Sequence, residues 1–290
     1  MAAAPRRSDR KALADRLKVL RQGVGLSGNR LAKRLGWPQS KVSKIETGKQ
    51  LPTESDIRRW AEVIEASDEL VGELLLLLER AHVEYATWKE RYAGGGAAGK
   101  QADIFQLETQ VTRIGEFQPA LIPGLVQTAE YAREMLNLPT GPIIYGSDEA
   151  DTARMVALRM QRQQALYTPG KRVQLVFLEG ALRTRVCSPV TLAGQLDRLI
   201  AVTGLPTLEL GVIPFDSDVP VMPLTSFMIY DTDLVVIEGL TGEQRLSDPD
   251  EVDAYDRLFE ALRGAARHGE SATAIIQRAL TDLRSTEGGK

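Results

Sequence analysis

Between residues 8 and 80, apolar positions recur at helical spacing in five short runs, separated by glycine, proline and small polar residues. Leu13, Leu17 and Leu20 make the first stripe, with Ser8 as its cap and Gly23 and Gly25 at its end. Ser27 caps a second helix that carries Leu31, Ala32 and Leu35 and stops at Gly36. After Trp37-Pro38 a third runs from about Gln39 to Thr47 on Val42 and Ile45, and Gly48 ends it. Leu51-Pro52 is a turn. Thr53 then caps a fourth helix with Ile57, Trp60, Ala61 and Ile64 inward, and a fifth begins near Ser67 with Leu70, Leu74, Leu77 and Leu78.

From Ala81 to Tyr92 the chain stays helix-compatible, and the glycine-rich run 94–99 follows. That run follows no strand and lacks a phosphate-binding Lys-Ser/Thr signature, so it reads as a linker. The pattern predicts a five-helix domain over 1–80, a helical and Gly-rich linker over 81–100, and a second domain over 101–290. In that second domain helices are expected at 102–115, 126–137, 148–166, 189–203, 250–267 and 271–284. Strand-like runs fall at 173–178, 207–213, 224–230 and 234–238, the last two joined by Asp231-Thr232-Asp233 as a hairpin. The expected fold is therefore an all-α N-terminal domain followed by an α+β domain, a small sheet covered by helices.

Charge changes this picture. The overall formal charge of −3 hides 13 Lys and Arg against three acids in the first 50 residues, leaving a marked acidic excess on the rest. A basic end on an acidic body suggests a polyanion-binding module attached to something else. The single cysteine, Cys187, permits no intrachain disulfide and no multi-cysteine zinc site, which fits a reducing cytoplasm. No apolar run approaches the ~20 residues that span a bilayer, and the N-terminus lacks the apolar stretch of a secretory signal. A cytoplasmic, nucleoid-associated protein without cofactor, metal or membrane contact is expected.

The densest signal lies in 26–48: a helix, a tight turn at Gly36 and a second helix, with Ala32 small enough to let the two approach. At about 3.6 residues per turn, Gln39, Ser40, Ser43 and Lys44 share one side of the third helix and Val42 and Ile45 the other. The free side offers an amide suited to adenine, a cation suited to guanine, and two hydroxyls. Lys41, to the side, is read as a phosphate contact. Ser27, Arg30 and Lys49 are read as contacts that fix the module on the backbone of double-stranded DNA.

With its Leu35-Gly36-Trp37 turn, Gln39-Ser40-Lys41-Val42-Ser43 and Ile45-Glu46-Thr47-Gly48, this segment resembles the Cro/repressor-type (xenobiotic-response-element-like) helix-turn-helix domains in their actinobacterial form. Pro38 departs from the pattern, which has Ser or Thr there as a cap. Residues 104–283 resemble the C-terminal half of WhiJ-like or Scr1-type antitoxin-like regulators. That resemblance rests on Phe105 to Glu108, Pro119 to Thr128, Tyr131 to Arg133, Arg159 to Gln163, Leu178 to Leu182, Gln195 to Leu199 and Glu238 to Gly242. It implies a transcription regulator, often encoded beside a small partner protein that binds the second domain.

For the second domain, ligand or partner contacts are assigned to Arg159, Gln163, Glu179, Arg183 and Glu238. Glu179 and Glu238 each end an apolar strand, where two carboxylates brought together would serve as acid and base or hold a metal; salt bridges are the alternative. His82 and His268 lie outside any metal-ligand spacing. Cys187, before a helix start, is weighed as a redox sensor. Pro119 to Val126 either lines an apolar groove or closes a core. The function expected is a sequence-specific, non-enzymatic DNA-binding transcription regulator, dimeric, whose second domain senses a ligand or a small partner protein. The alternative is an antitoxin-like adaptor that sequesters such a partner and regulates itself.

Overall fold

A computed structural model describes residues 9–87, 96–139, 149–219, 221, 225–239 and 242–288. The chain divides into two units, Met1–Glu84 and Tyr85–Lys290.

The first unit holds α1 (Asp9–Gly23), α2 (Gly28–Leu35), α3 (Gln39–Glu46), α4 (Glu54–Val63) and α5 (Asp68–His82). Its core is the set of stripes legible in the sequence: Leu13, Leu17, Leu31, Leu35, Val42, Ile45, Ile57, Trp60 and Leu74 are all buried. Local chemistry fixes the ends. The Ser27 hydroxyl accepts from the Arg30 amide at 3.3 Å. Gly36 takes the left-handed conformation (φ 68°) that a Cβ would strain, and so ends α2. Thr53 and Asp56 form a reciprocal capping box on α4. Pro38 begins α3 with no side-chain cap. The Ser8 cap lies outside the described residues.

The second unit is built on a mixed sheet. Its strands are β2 (Arg113–Gln118), β3 (Arg172–Leu178), β4 (Leu208–Ile213), β5 (Ser226–Tyr230), β6 (Leu234–Glu238), β7 (Gly242–Leu246) and the two-residue β8 (Arg267–His268). The order is β7-β6-β5-β2-β3-β4-β8, with a further strand, β1 (Val83–Thr87), beside β7. β2, β3 and β4 are parallel, while β5, β6 and β7 continue from β2 as an antiparallel meander. One face of the sheet packs against α7 (Ala129–Leu136), α8 (Glu149–Arg162), α9 (Pro189–Val202) and α11 (Gly269–Gly288), with α6 (Gly96–Gln110) packed on α8. The other face packs against α10 (Pro249–Ala265) through Phe259, Leu262 and Val252.

The expected α+β domain is thus present, with a larger sheet than the four runs predicted. The helix expected at 102–115 ends at Gln110, and Arg113–Gln118 is instead the central strand. Its sequence hides it, because Glu116 and Gly115 break the apolar pattern while β3 and β5 pair with it on both sides. Gly115 lies against α10: a Cβ there would stand 3.4 Å from the Phe259 ring, in van der Waals contact. The helix-compatible stretch after Ala81 turns extended at Val83, where Val83, Tyr85 and Thr87 alternate with small or charged residues. α6 starts at Gly96, inside the run read as linker; Gly94 and Gly95 lie outside the described residues. The expected hairpin is present at Asp231, whose carboxylate accepts the Thr112 and Arg113 amides at 2.9 and 2.7 Å.

Candidate nucleic-acid interface

α3 divides as its sequence predicts. Val42 and Ile45 are each 1% exposed and pack into the core, whereas Gln39, Ser40, Ser43 and Lys44 are exposed together on the outward side. Ser27, Arg30 and Lys49 are exposed as well, at the start of α2 and just beyond α3. Among the described residues, no acidic side chain pairs with Lys44 or Lys49. A cavity of about 290 Å³ opens beside α3, lined by Lys18 of α1, Gly28 at the start of α2, and Gln39 and Ser43. Arg21, Val42, Glu46 and Thr47 complete the lining, so the cavity borders the Arg21–Glu46 ion pair as well as the Lys18 ammonium.

The position of α3 is fixed at both ends. At its C-terminal end Glu46 receives Arg21 of α1 through two hydrogen bonds of 2.5 and 2.9 Å, and Arg21 also donates to the Leu26 carbonyl at 2.5 Å. Arg10 donates to the Gly48 carbonyl at 2.8 Å. At its N-terminal end the Lys41 ammonium is 2.7 Å from Asp56 of α4 and 4.1 Å from the centre of the Trp37 ring. Burial alone would push the Asp56 carboxyl up; the Lys41 ammonium and the Thr53 amide and hydroxyl outweigh it, and it titrates below its ordinary range. Arg21, Glu46 and Asp56 were not assigned from the sequence. The cap read at Thr53 is the one local signal near Asp56, and it says nothing of Lys41.

The residues expected to hold a ligand or partner in the second unit fall in three places: Arg159 with Gln163, Glu179 with Arg183, and Glu238. Arg159 donates to the Gln127 side chain at 2.7 Å, and Gln163 to the Gln127 carbonyl at 2.5 Å. Gln127 in turn donates to the Ile122 carbonyl at 2.7 Å, and Gln195 to that of Val126 at 2.9 Å. These side chains satisfy the irregular backbone of 119–128, whose Ile122, Leu125 and Val126 are fully buried, so that segment closes the core. Glu179 accepts from the Phe215 amide at 3.2 Å and pairs with Arg183, which also pairs with Asp282 at 2.8 Å. Glu238 is half-buried at the end of β6. Between β3 and β6 lie β2 and β5, so the two strand ends stand roughly 14 Å apart at ~4.8 Å per strand. Glu179 and Glu238 are not brought together.

Cys187 is half-buried; burial, and then the Glu134 carboxylate, push its thiol up to about 11, which keeps it protonated at neutral pH and unlike a redox-sensing thiolate. His268 bonds the Arg263 carbonyl at 2.9 Å, and His82 ends α5. Among the described residues no three His, Cys, Asp or Glu side chains are placed to hold a metal ion. None of the described helices is long and apolar enough to cross a membrane.

The second unit does contain a buried polar group that its sequence did not reveal. Arg162 forms two hydrogen bonds of 2.7 and 2.9 Å with Glu108 and one of 2.7 Å with Gln101, all three side chains being buried. Glu116, 3% exposed on the central strand, accepts from Gln118 at 2.9 Å. Burial pushes its carboxyl up to about 7; Gln118 and the Arg162 charge pull it down, and Glu238 and Glu108 add to the rise.

A family profile described as a domain of unknown function, DUF5753, matches residues 101–278. The chain belongs to this family. A second profile, described as a helix-turn-helix domain, matches residues 12–74, which span α1 to the first half of α5. The DUF5753 match covers the whole sheet from β2 to β8 with the helices on both its faces. No curated protein matches the chain. Among solved structures, that of TrmBL2, an archaeal chromatin protein showing a novel mode of DNA binding, is similar at 14% identity and a TM-score of 0.33. The similarity covers 88% of this chain and 99% of that chain, and is too loose to bear on the DUF5753 domain or on function.

Proposed function

We propose that this protein is a sequence-specific, double-stranded-DNA-binding transcription regulator, with α3 entering the major groove and the DUF5753 domain acting as a binding rather than a catalytic unit. The observation that carries the reading is α3 itself. Four residues suited to base edges, Gln39, Ser40, Ser43 and Lys44, are exposed on one side of a short helix whose other side is buried and whose ends are held by Asp56 and Arg21. Arg30, Lys49 and the amides at the start of α2, capped by Ser27, then rest on the phosphates. A module of this size reads few base pairs, so the regulator acts as a homodimer with two copies of α3 about one helical turn apart. The DUF5753 domain receives a ligand or a small partner protein and biases the paired heads. The separation of Glu179 from Glu238 supports a non-catalytic role for it.

The test is selection of bound sequences from a random duplex pool with the full-length protein, together with light scattering of the free and bound chain. An enriched two-fold site bound by a dimer is expected; absence of any enriched sequence overturns the reading. On the enriched site, Gln39→Ala and Lys44→Ala are each expected to cost ~1–3 kcal/mol and to flatten discrimination, while Lys49→Ala weakens all duplexes alike. Equal losses for Gln39→Ala on cognate and random duplex would move the reading surface elsewhere.

A further inference from the structure

We propose that Lys41 is a positioning residue, which sets the pose of α3 through Asp56 and Trp37 and makes no phosphate contact. The inference rests on the reading of α3 as the helix that enters the groove, and it deepens that reading by separating the basic residues around α3 into two kinds.

Lys41, on the first full turn of α3, points away from the surface shared by Gln39, Ser43 and Lys44. Its ammonium is 2.7 Å from Asp56 Oδ1 and 4.1 Å from the Trp37 ring centre, and its side chain is 28% exposed. Arg59 of α4 also lies over Trp37, at 5.5 Å, and donates to the Leu35 carbonyl. Trp37 meets Trp60 of the core at 6.2 Å. The turn between α2 and α3 is therefore clasped by two cations from neighbouring helices, one of which is Lys41.

Asp56 gives this grip its firmness. Its Oδ2 accepts the Thr53 amide at 3.1 Å and its own amide donates to the Thr53 hydroxyl at 3.1 Å, so the carboxylate is fixed to the first turn of α4. Its side chain is only 10% exposed. If Lys41 left for a phosphate, that carboxylate would stay in place without its cation, close to the approaching polyanion. Lys44 and Lys49 face no such cost, since no acidic side chain among the described residues pairs with either. Pro38 supplies no side-chain cap, so the Lys41–Asp56 pair adds a polar tie at the start of α3 to the apolar packing of Trp37 and Val42.

The experiment compares full-length Lys41→Gln, Asp56→Asn, their double variant and Lys49→Gln by affinity for the selected site and for random duplex over a range of salt. Each lost phosphate contact lowers the slope of log K against log salt by about 1. Lys49→Gln is expected to lower it so. Lys41→Gln is expected to leave the slope unchanged and to cut the cognate-to-random ratio about tenfold, as a misplaced reading helix does. Asp56→Asn is expected to do the same, and the double variant no more than either single one. A merely destabilised fold would weaken both duplexes alike and leave the ratio intact. A slope lowered by about 1 in Lys41→Gln, with Asp56→Asn binding every duplex more tightly, overturns the inference. If the parent protein discriminates no sequence, the reading of α3 fails, and the grip is decided by thermal melts of the four proteins: non-additive losses for Lys41→Gln and Asp56→Asn support it, additive ones overturn it.

Discussion

Replacing Arg21 with methionine should cost the N-terminal domain about 3–5 kcal/mol. Arg21 is 7% exposed, and its guanidinium is shared between the Glu46 carboxylate and the Leu26 carbonyl. Methionine fills much of the same volume without donors, so a carboxylate whose side chain is 10% exposed is left uncompensated, together with a carbonyl oxygen. Small domains keep only about 5–15 kcal/mol in total, so the helix-turn-helix unit would lose a fifth or more of its stability. The double variant Arg21→Met/Glu46→Leu should recover most of it, because both charges leave together. Two of the chain's three tryptophans, Trp37 and Trp60, sit in this domain, so denaturation followed by tryptophan fluorescence reports on it. A loss under about 1 kcal/mol in the single variant would mean that water reaches Glu46 freely.

The second large effect has the opposite sign. Glu116→Gln should stabilise the DUF5753 domain at pH 8 by about 3 kcal/mol. The carboxyl titrates near 7 in the fold against an ordinary 4.5, so the folded state holds a proton that the unfolded state has released between those values. Stability from this group is full below 4.5, declines as pH rises, and is lost above about 7. Glutamine is neutral throughout and keeps a side-chain oxygen for the Gln118 amide. In calorimetry at pH 8 the transition of the DUF5753 domain should therefore rise in the variant, and the gap to the parent protein should close toward pH 4.5. A variant no more stable than the parent at pH 8 would show that the charged carboxylate is compensated in the fold.

What was legible in the sequence was what is decided locally. Ser27, Gly36, Thr53 and the spacing of Leu31, Leu35, Val42 and Ile45 give α2 to α4 within a residue or two, because caps and stripes act over one or two turns. The exposed side of α3 followed directly. The role of Lys41 did not, since its partner lies 15 residues on in another helix. The same distance effect hid the buried pair of Arg162 and Glu108, 54 residues apart. Glu179 and Glu238 looked alike as carboxylates ending apolar strands, and only the strand order, which no local pattern encodes, separates them. β2 escaped notice because a strand buried on both faces and paired on both edges tolerates an Arg, a Gly and a Glu in six residues.

That same strand sets the order in which the chain can acquire its shape. β2 has partners at 172–177 on one side and 227–230 on the other. It therefore waits for a neighbour until more than fifty further residues are synthesised, and for the second until over a hundred are, on the order of ten seconds at ribosomal speed. The helical domain, whose contacts close within the first 84 residues, meets no such delay. During that interval a finished helix-turn-helix unit, its basic surface already formed, is tethered to a nascent sheet whose central strand has an open edge.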